Sequence, residues 1–493
     1  MNKKNIVVIM TDQQRADLRA LEGYSLNTTP YLDELARKGC WFDHAYTTMP
    51  VCGPARSSLI TGRWPSSHRV NSNDCLKLAE YEKDLFAVAK DSQYATALIG
   101  KNHSPLIPDQ AVDYHYLQGH WGGFQEEKTD MEASYDKWLK SLSQVSMTAT
   151  PFPPECQLPY RAVSAAKRWI DSLNEQPFLL WLSFPEPHNP YQAPEPYYSM
   201  FPPEKLPPLG ASKEDRLRKG EKWVFYGEQM ENFLPDHEER IARARSNYLG
   251  MLRLIDDQIR RLVLHLEENH MLDHTLIVFL SDHGDFVGEY GLMKKGPEAP
   301  DILSRIPMQF YGAGIPAREA AHDAHVSLAD VMPTLCEVME SEIPMGVQGR
   351  SLWGLLNGEA YPKKEFASVM TEHGYGGLYH LGEGSADMDS VGSVTHGIAE
   401  FNELNRYTQS GWLRTIRKDA WKLNMDMHGR GELYNVSHDP LELNNLYDSS
   451  EHRDIKCEML GTLSMWLIRT QTATLTDSPY YPIKRHPRNY LNK

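Results

Sequence analysis

The chain has 493 residues, 41% hydrophobic and 24% charged, with a formal net charge of −15. Such a balance describes a globular protein with enough apolar material for a large domain and a smaller one. It excludes a binder of nucleic acid, which needs a basic surface, and an anionic ligand would have to find Lys and Arg gathered locally inside an acidic protein.

The opening Met-Asn-Lys-Lys-Asn leads into an apolar run at 6–10 that is too short for a signal-peptide core. No later run approaches the roughly 20 apolar residues of a membrane helix. The expectation is a soluble chain with no membrane partner, cytoplasmic as it stands, and periplasmic or secreted if a leader has been removed. Residues 6–10 predict a strand ending at Thr11-Asp12-Gln13-Gln14, and a helix is predicted over 31–38. Further strands are predicted at 95–99, 178–184 and 276–280, because continuous apolar runs suit strands buried on both faces of a parallel or mixed sheet. Helices are predicted at 161–173 and 240–268, the second carrying Ile241, Tyr248, Met251, Leu252, Ile255, Ile259, Leu262 and Leu266 at helical spacing. Residues 105–160 read as an insertion, the proline-rich 185–208 as a largely irregular loop, and 374–405 as a long excursion near a domain boundary. Residues 412–425 alternate like a strand pair, and 459–469 predict a terminal helix. The alternation is that of an α/β sandwich, divided into a catalytic domain at 1–362 and a C-terminal subdomain at 363–493.

In open α/β sheets, ligands collect at the carboxyl ends of the strands. Asp12, Lys101, His188 and Asp282 each fall just after an apolar run and would converge there. Asp12 and Gln13, with Asp282 and His283 of Ser281-Asp-His-Gly-Asp285, offer oxygen and imidazole ligands to one divalent ion. The six cysteines are scattered and give neither a zinc knuckle nor a disulfide framework. Cys52, taken alone, is either a buried structural thiol or an activated nucleophile.

Residues 52–63, Cys-Gly-Pro-Ala-Arg-Ser-Ser-Leu-Ile-Thr-Gly-Arg, resemble the sulfatase signature. Gly100-Lys-Asn-His103, Pro185-Glu-Pro-His-Asn-Pro190 and Gly291-Leu-Met-Lys-Lys-Gly296 resemble further segments of that family, in the same order. The resemblance extends from about Asn5 to Tyr447, through Leu328-Ala-Asp-Val-Met-Pro-Thr-Leu335, Gln348-Gly-Arg-Ser-Leu352 and Glu432-Leu-Tyr-Asn435. It implies an alkaline-phosphatase-like α/β sandwich, with a large mixed sheet flanked by helices and a smaller C-terminal α+β part bearing an antiparallel sheet. It also implies that Cys52 is oxidised to formylglycine by a separate maturation enzyme, its partner during biosynthesis. One hydroxyl of the hydrated aldehyde would attack sulfur, and deprotonation of the other would expel sulfate without attack of water on an enzyme ester.

By the same resemblance, Asp12, Gln13, Asp282, His283 and the Cys52-derived group would hold the metal. Arg56 would orient the diol, while Lys101 and Lys295 would bind the sulfate oxygens. His188 would be the general acid, with Lys295 assisting, and His103 the base; Asn73 is a further sulfate or diol contact. Calcium is the family's usual ion. Gln13 and His283 depart from the family's more frequent Asp and Asn, and an imidazole suits manganese or zinc as alternatives. The expected reaction is hydrolysis of a sulfate ester on a carbohydrate, with Trp121, Tyr375 and Tyr379 available to stack on sugar rings. Because the Asp-Gln and Asp-His pairs also resemble phosphonate monoester hydrolases of the same superfamily, a phosphonate or phosphodiester substrate is the alternative. A homo-oligomer is compatible with all of this.

Overall fold

The computed structural model describes residues 3–234, 236–376, 392–395, 398–471, 485–488 and 490–491. Eight segments form one sheet: β1 (Asn5–Asp12), β2 (Cys40–Trp41), β3 (Ala95–Gly100), β4 (Tyr114–Gly119), β5 (Gly122–Gly123), β6 (Phe178–Pro187), β7 (Thr275–Ser281) and β8 (Met308–Gly312). Their order across the sheet is β2-β8-β7-β1-β6-β3-β4-β5. The central strands β7, β1, β6, β3 and β4 are parallel, and β8 and β5 pair antiparallel at either side. The sheet is therefore mixed, and its parallel strands β1, β3, β6 and β7 are buried on both faces as the sequence predicts.

The flanking helices include α1 (Pro30–Arg37), α2 (Cys52–Thr61), α3 (Asp130–Leu139), α4 (Leu158–Asp171), α5 (His237–Glu268) and α6 (Val331–Val338). Alternate residues of β1 feed opposite layers. Ile6, Val8 and Met10 pack with Leu179, Trp181 and the α6 residues Met332 and Leu335, whereas Val7 and Ile9 pack with Leu180, Ala162, Ile255 and Ile259 of β6, α4 and α5. The Asp256 carboxylate on α5 accepts from the backbone N–H groups of Tyr31 and Leu32, satisfying free donors in the first turn of α1.

A second, antiparallel sheet comprises β9 (Ser368–Gly376), β10 (Gly411–Lys418), β11 (Trp421–Asp426) and β12 (Gly431–Asn435). Helix α7 (Arg453–Arg469) lies against it, burying Met459, Leu463 and Trp466 beside Ile416 and Leu423.

Three expectations need correction. Residues 105–160 are no mere insertion, because β4 and β5 extend the main sheet and α3 braces them. Only Gln118 is buried in β4, so the strand lacks the apolar run that marks the central ones. Helix α7 starts six residues before 459, because its first turn, Arg-Asp-Ile-Lys, carries three charged residues and only one apolar one, Ile455. Finally, β6 continues through Pro187, past the point where proline suggests a loop; β1 absorbs the change with a register shift between Met10 and Asp12. Among the described residues no helix is long and apolar enough to cross a membrane.

Candidate active site

The carboxyl ends of β1, β3, β6 and β7 deliver Asp12, Lys101, His188 and Asp282 to one edge of the sheet. Each delivery has a local cause. Lys101 follows Gly100, whose φ is +100° and whose Cβ position lies 1.9 Å from the Ser183 carbonyl oxygen; no side chain fits there, and the close approach lets the Lys101 N–H donate to Ser183 at 2.7 Å. Asp282 accepts from the backbone N–H of Gln13 at 3.0 Å and of His283 at 2.9 Å, tying the two strand ends together. Gln13, His103 and Lys294 hold positive φ, local strain of the kind that gathers at functional sites.

Cys52 is the first residue of α2, so its side chain sits at the positive end of a helix. Its Sγ lies 3.2 Å from His283 Nε2 and 3.6 Å from Asp12 Oδ1. Burial and Asp12 push the thiol up, but Lys101, Lys295 and His283 outweigh them and bring it down to about 6. Burial likewise raises the Asp12 carboxyl, and Lys101, His188 and Arg56 overcome it to hold Asp12 well below the usual carboxylate range. Asp282 goes the other way, because burial and the neighbouring Asp12 charge both push it up.

Ligand atoms of Asp12, Cys52, Asp282 and His283 all lie within 4.8 Å of one another, and all four residues are buried. His283 donates Nδ1–H to the Gly284 carbonyl at 2.8 Å, which leaves the Nε2 lone pair facing the cluster. Gln13 Nε2 donates to Asp285 at 2.7 Å; this sets the amide so that Oε1 points inward, where it accepts from Lys295 Nζ at 2.8 Å. Crowded, dry carboxylates beside an imidazole and a fixed amide oxygen fit a divalent cation, which would relieve the repulsion that raises Asp282.

Arg56 is fully buried, and its guanidinium donates through Nε to Asp282 at 3.0 Å, through NH2 to Asp12 at 3.1 Å, and through NH1 to Ser183 Oγ at 2.6 Å. It faces the carboxylates rather than the thiol. Lys101 Nζ pairs with Asp12. His188 donates Nδ1–H to the Asn189 carbonyl at 2.7 Å and turns Nε2 toward Lys295 Nζ, 3.5 Å away. His103 belongs to the same electrostatic cluster, and its Nδ1 is buried with no hydrogen-bond partner. Asn73 reaches only the backbone of α2, its Oδ1 accepting from the Gly53 N–H at 2.9 Å. Tyr375 donates its hydroxyl to the Leu404 carbonyl at 2.7 Å, and Tyr379 lies outside the described residues.

Sequence reasoning passed over several residues here. Asp285, beside the metal-type pair, fixes Gln13 and also accepts from Tyr191 at 2.7 Å. Glu403, inside the supposed excursion, pairs with Lys294 at 3.2 Å and Lys295 at 3.3 Å. His120 lies between β4 and β5 with its ring stacked on His188 at 3.7 Å. Asp285 adjoins a recognised motif and was findable; Glu403 and His120 stand in segments without a motif.

Glu186, on β6, is 6% exposed, and its Oε2 is buried without a partner. Burial, partly offset by a backbone hydrogen bond, pushes its carboxyl up to about 8. A folded value above the unfolded one, about 4.3, means that folding retains the proton. Stability is then unpenalised below pH ~4.3 and falls by on the order of 4 kcal/mol as pH rises to about 8. Glu186→Gln should therefore match the wild type at pH 4.3 and exceed it at pH 8 in urea unfolding; identical pH slopes for the two proteins would contradict this.

A family model described as Sulfatase matches residues 4–341. An arylsulfatase of Clostridium perfringens is 28% identical over 485 residues, covering 92% of each chain. Among solved structures, the phosphonate monoester hydrolase of Agrobacterium radiobacter superposes with a TM-score of 0.77 at 20% identity, over 98% of this chain and 100% of that one. A structure in complex with its substrate D-glucosamine-2-N,6-O-disulfate gives 0.73 at 17% identity, over 95% and 98%. At those identities the structural likenesses establish the fold. The family match spans well over half of the 493 residues, and on that ground the chain belongs to the sulfatase family, a family of sulfuric ester hydrolases.

Proposed function

We propose that this protein cleaves the sulfate ester of a sulfated carbohydrate, using a formylglycine made from Cys52 and one divalent cation held by Asp12, Gln13, Asp282 and His283. The observation that carries the reading is the convergence on Cys52 of the ligand cluster and two buried lysines, in an otherwise acidic chain. The modified residue would supply the nucleophilic hydroxyl, and calcium, or else manganese or zinc, would polarise it and a sulfate oxygen.

The remaining work falls to side chains. Lys101 and Lys295 are compact cations placed to hold the ester's anionic oxygens. Arg56 pairs with Asp12 and Asp282, favouring their ionised forms against burial and fixing both carboxylates in place. With Nδ1–H committed to Asn189, His188 has only Nε2 to exchange a proton with the leaving oxygen. Burial, His120 and Lys295 hold His188 well below its ordinary value, so it rests neutral. An anionic ester seated between the lysines offsets their charge and favours protonation once substrate is in place. His103, with its unpartnered Nδ1, is the base that drives release of sulfate.

A sulfate monoester and a phosphonate monoester are both tetrahedral monoanions, and the cationic corner suits either. The Asp-Gln and Asp-His pairs favour keeping phosphonate as the second reading. Parallel assays on an aryl sulfate, defined sulfated sugars and an aryl phosphonate monoester separate the two. We expect kcat/KM to favour a sulfate ester by at least about tenfold, and a reversed preference of that size moves the assignment to the phosphonate.

A further inference from the structure

We propose that His120 is a positioning residue that aims the Lys101 ammonium at the anionic group of the substrate. This rests on the proposed role of Lys101. His120 Nε2 lies 2.9 Å from Lys101 Nζ. An ammonium has only donors, so Nε2 is the acceptor and the ring carries its proton on Nδ1. Burial, reinforced by Lys101, holds the ring well below its ordinary value and keeps it neutral.

Lys101 Nζ has three N–H bonds. One goes to Asp12 and one to His120. With two tetrahedral directions fixed, the third is no longer free to rotate, and it is the one left for a ligand oxygen. Held by Asp12 alone, the ammonium could pivot about that one contact as its flexible four-carbon stem changes rotamer, and would present the third N–H toward the ligand only part of the time.

The imidazole is itself held from two sides. One face stacks on His188 with 3.7 Å between centroids and 19° between planes. The backbone around it is anchored at Asp136 of α3, which accepts from the Gly123 N–H at 3.1 Å and pairs with Arg161 and Lys128, each at 2.8 Å. Gly122 has φ +125° and a Cβ position 2.5 Å from the Asp136 carboxyl carbon, so the turn tolerates no side chain there. A single loop thus places one ring between Lys101 and the proposed acid His188.

Two substitutions separate the functions of that ring. His120→Phe keeps an aromatic face for His188 and removes the acceptor; His120→Gln loses the stack and keeps an acceptor at similar reach. We expect His120→Phe to lower kcat/KM for the sulfate ester by about 10 to 100-fold, and His120→Gln to recover most of that loss. His120→Phe combined with Lys101→Met should be no worse than Lys101→Met alone, because both remove one function. Nitrogen-15 NMR, with the His120 signal identified by its loss in His120→Gln, should show the Nδ1–H tautomer. Equal losses in the two His120 variants, additive losses with Lys101→Met, or the Nε2–H tautomer would each overturn the proposal. Wild-type enzyme that fails to turn over any sulfate ester, yet shows the Nδ1–H tautomer, would instead count against the function proposed above.

Discussion

Cys52→Ser is expected to lower sulfate-ester turnover by about 10⁴-fold or more, with the melting temperature nearly unchanged. Serine is smaller than cysteine, and the neighbours of Sγ are polar, His283 and Asp12, so the substitution leaves no apolar cavity. What it removes is the thiol from which, on the function proposed above, the formylglycine would be made. A serine hydroxyl attacking sulfur would leave a sulfate ester on the enzyme that no second hydroxyl can expel. Mass spectrometry of the peptide around residue 52 makes the comparison clean, because wild-type activity should scale with the converted fraction. A serine variant within about tenfold of the fully converted enzyme, and shown by the same mass spectrometry to carry an unmodified serine, would remove Cys52 from the mechanism.

The second large effect concerns Arg56. Its guanidinium is buried between Asp12 and Asp282. Arg56→Met leaves both carboxylates without that partner and should cost about 3 to 5 kcal/mol in denaturant unfolding, because the remaining charges stay desolvated. Arg56→Lys keeps a charge but loses the planar fork that reaches both acids, so its loss should be intermediate. Activity should fall in both variants, and added divalent cation should restore part of the stability if it is held, as proposed, by the same two carboxylates. A methionine variant as stable as the wild type would show that the pair is not dependent on Arg56.

Much of the architecture was legible because burial writes itself into composition. Runs such as Val7-Val8-Ile9 and Leu179-Leu180-Trp181 are apolar on both faces, which specifies strands covered on both sides. β4 was not legible, since a half-exposed strand such as Tyr114–Gly119 has no obligatory apolar pattern. In the site, Asp12 is the last residue of β1, Lys101, His188 and Asp282 directly follow β3, β6 and β7, and His283 comes next after Asp282, where chain direction alone indicates convergence. His120 and Glu403 had no such marker. Arg56 was visible, but the direction of its guanidinium was not.

Sequence by itself therefore determined the chemistry available to this protein: a cysteine in a sulfatase-type motif, acids and imidazoles at strand ends, and lysines between them. Those are statements of residue type and order, which a short motif carries. Only the tertiary structure decided which groups meet. It turned Arg56 onto the carboxylates, set Gln13 through Asp285, and brought His120 within reach of Lys101 and His188. Such contacts depend on side-chain direction and on loops anchored by distant helices, and neither leaves a periodic trace in the chain.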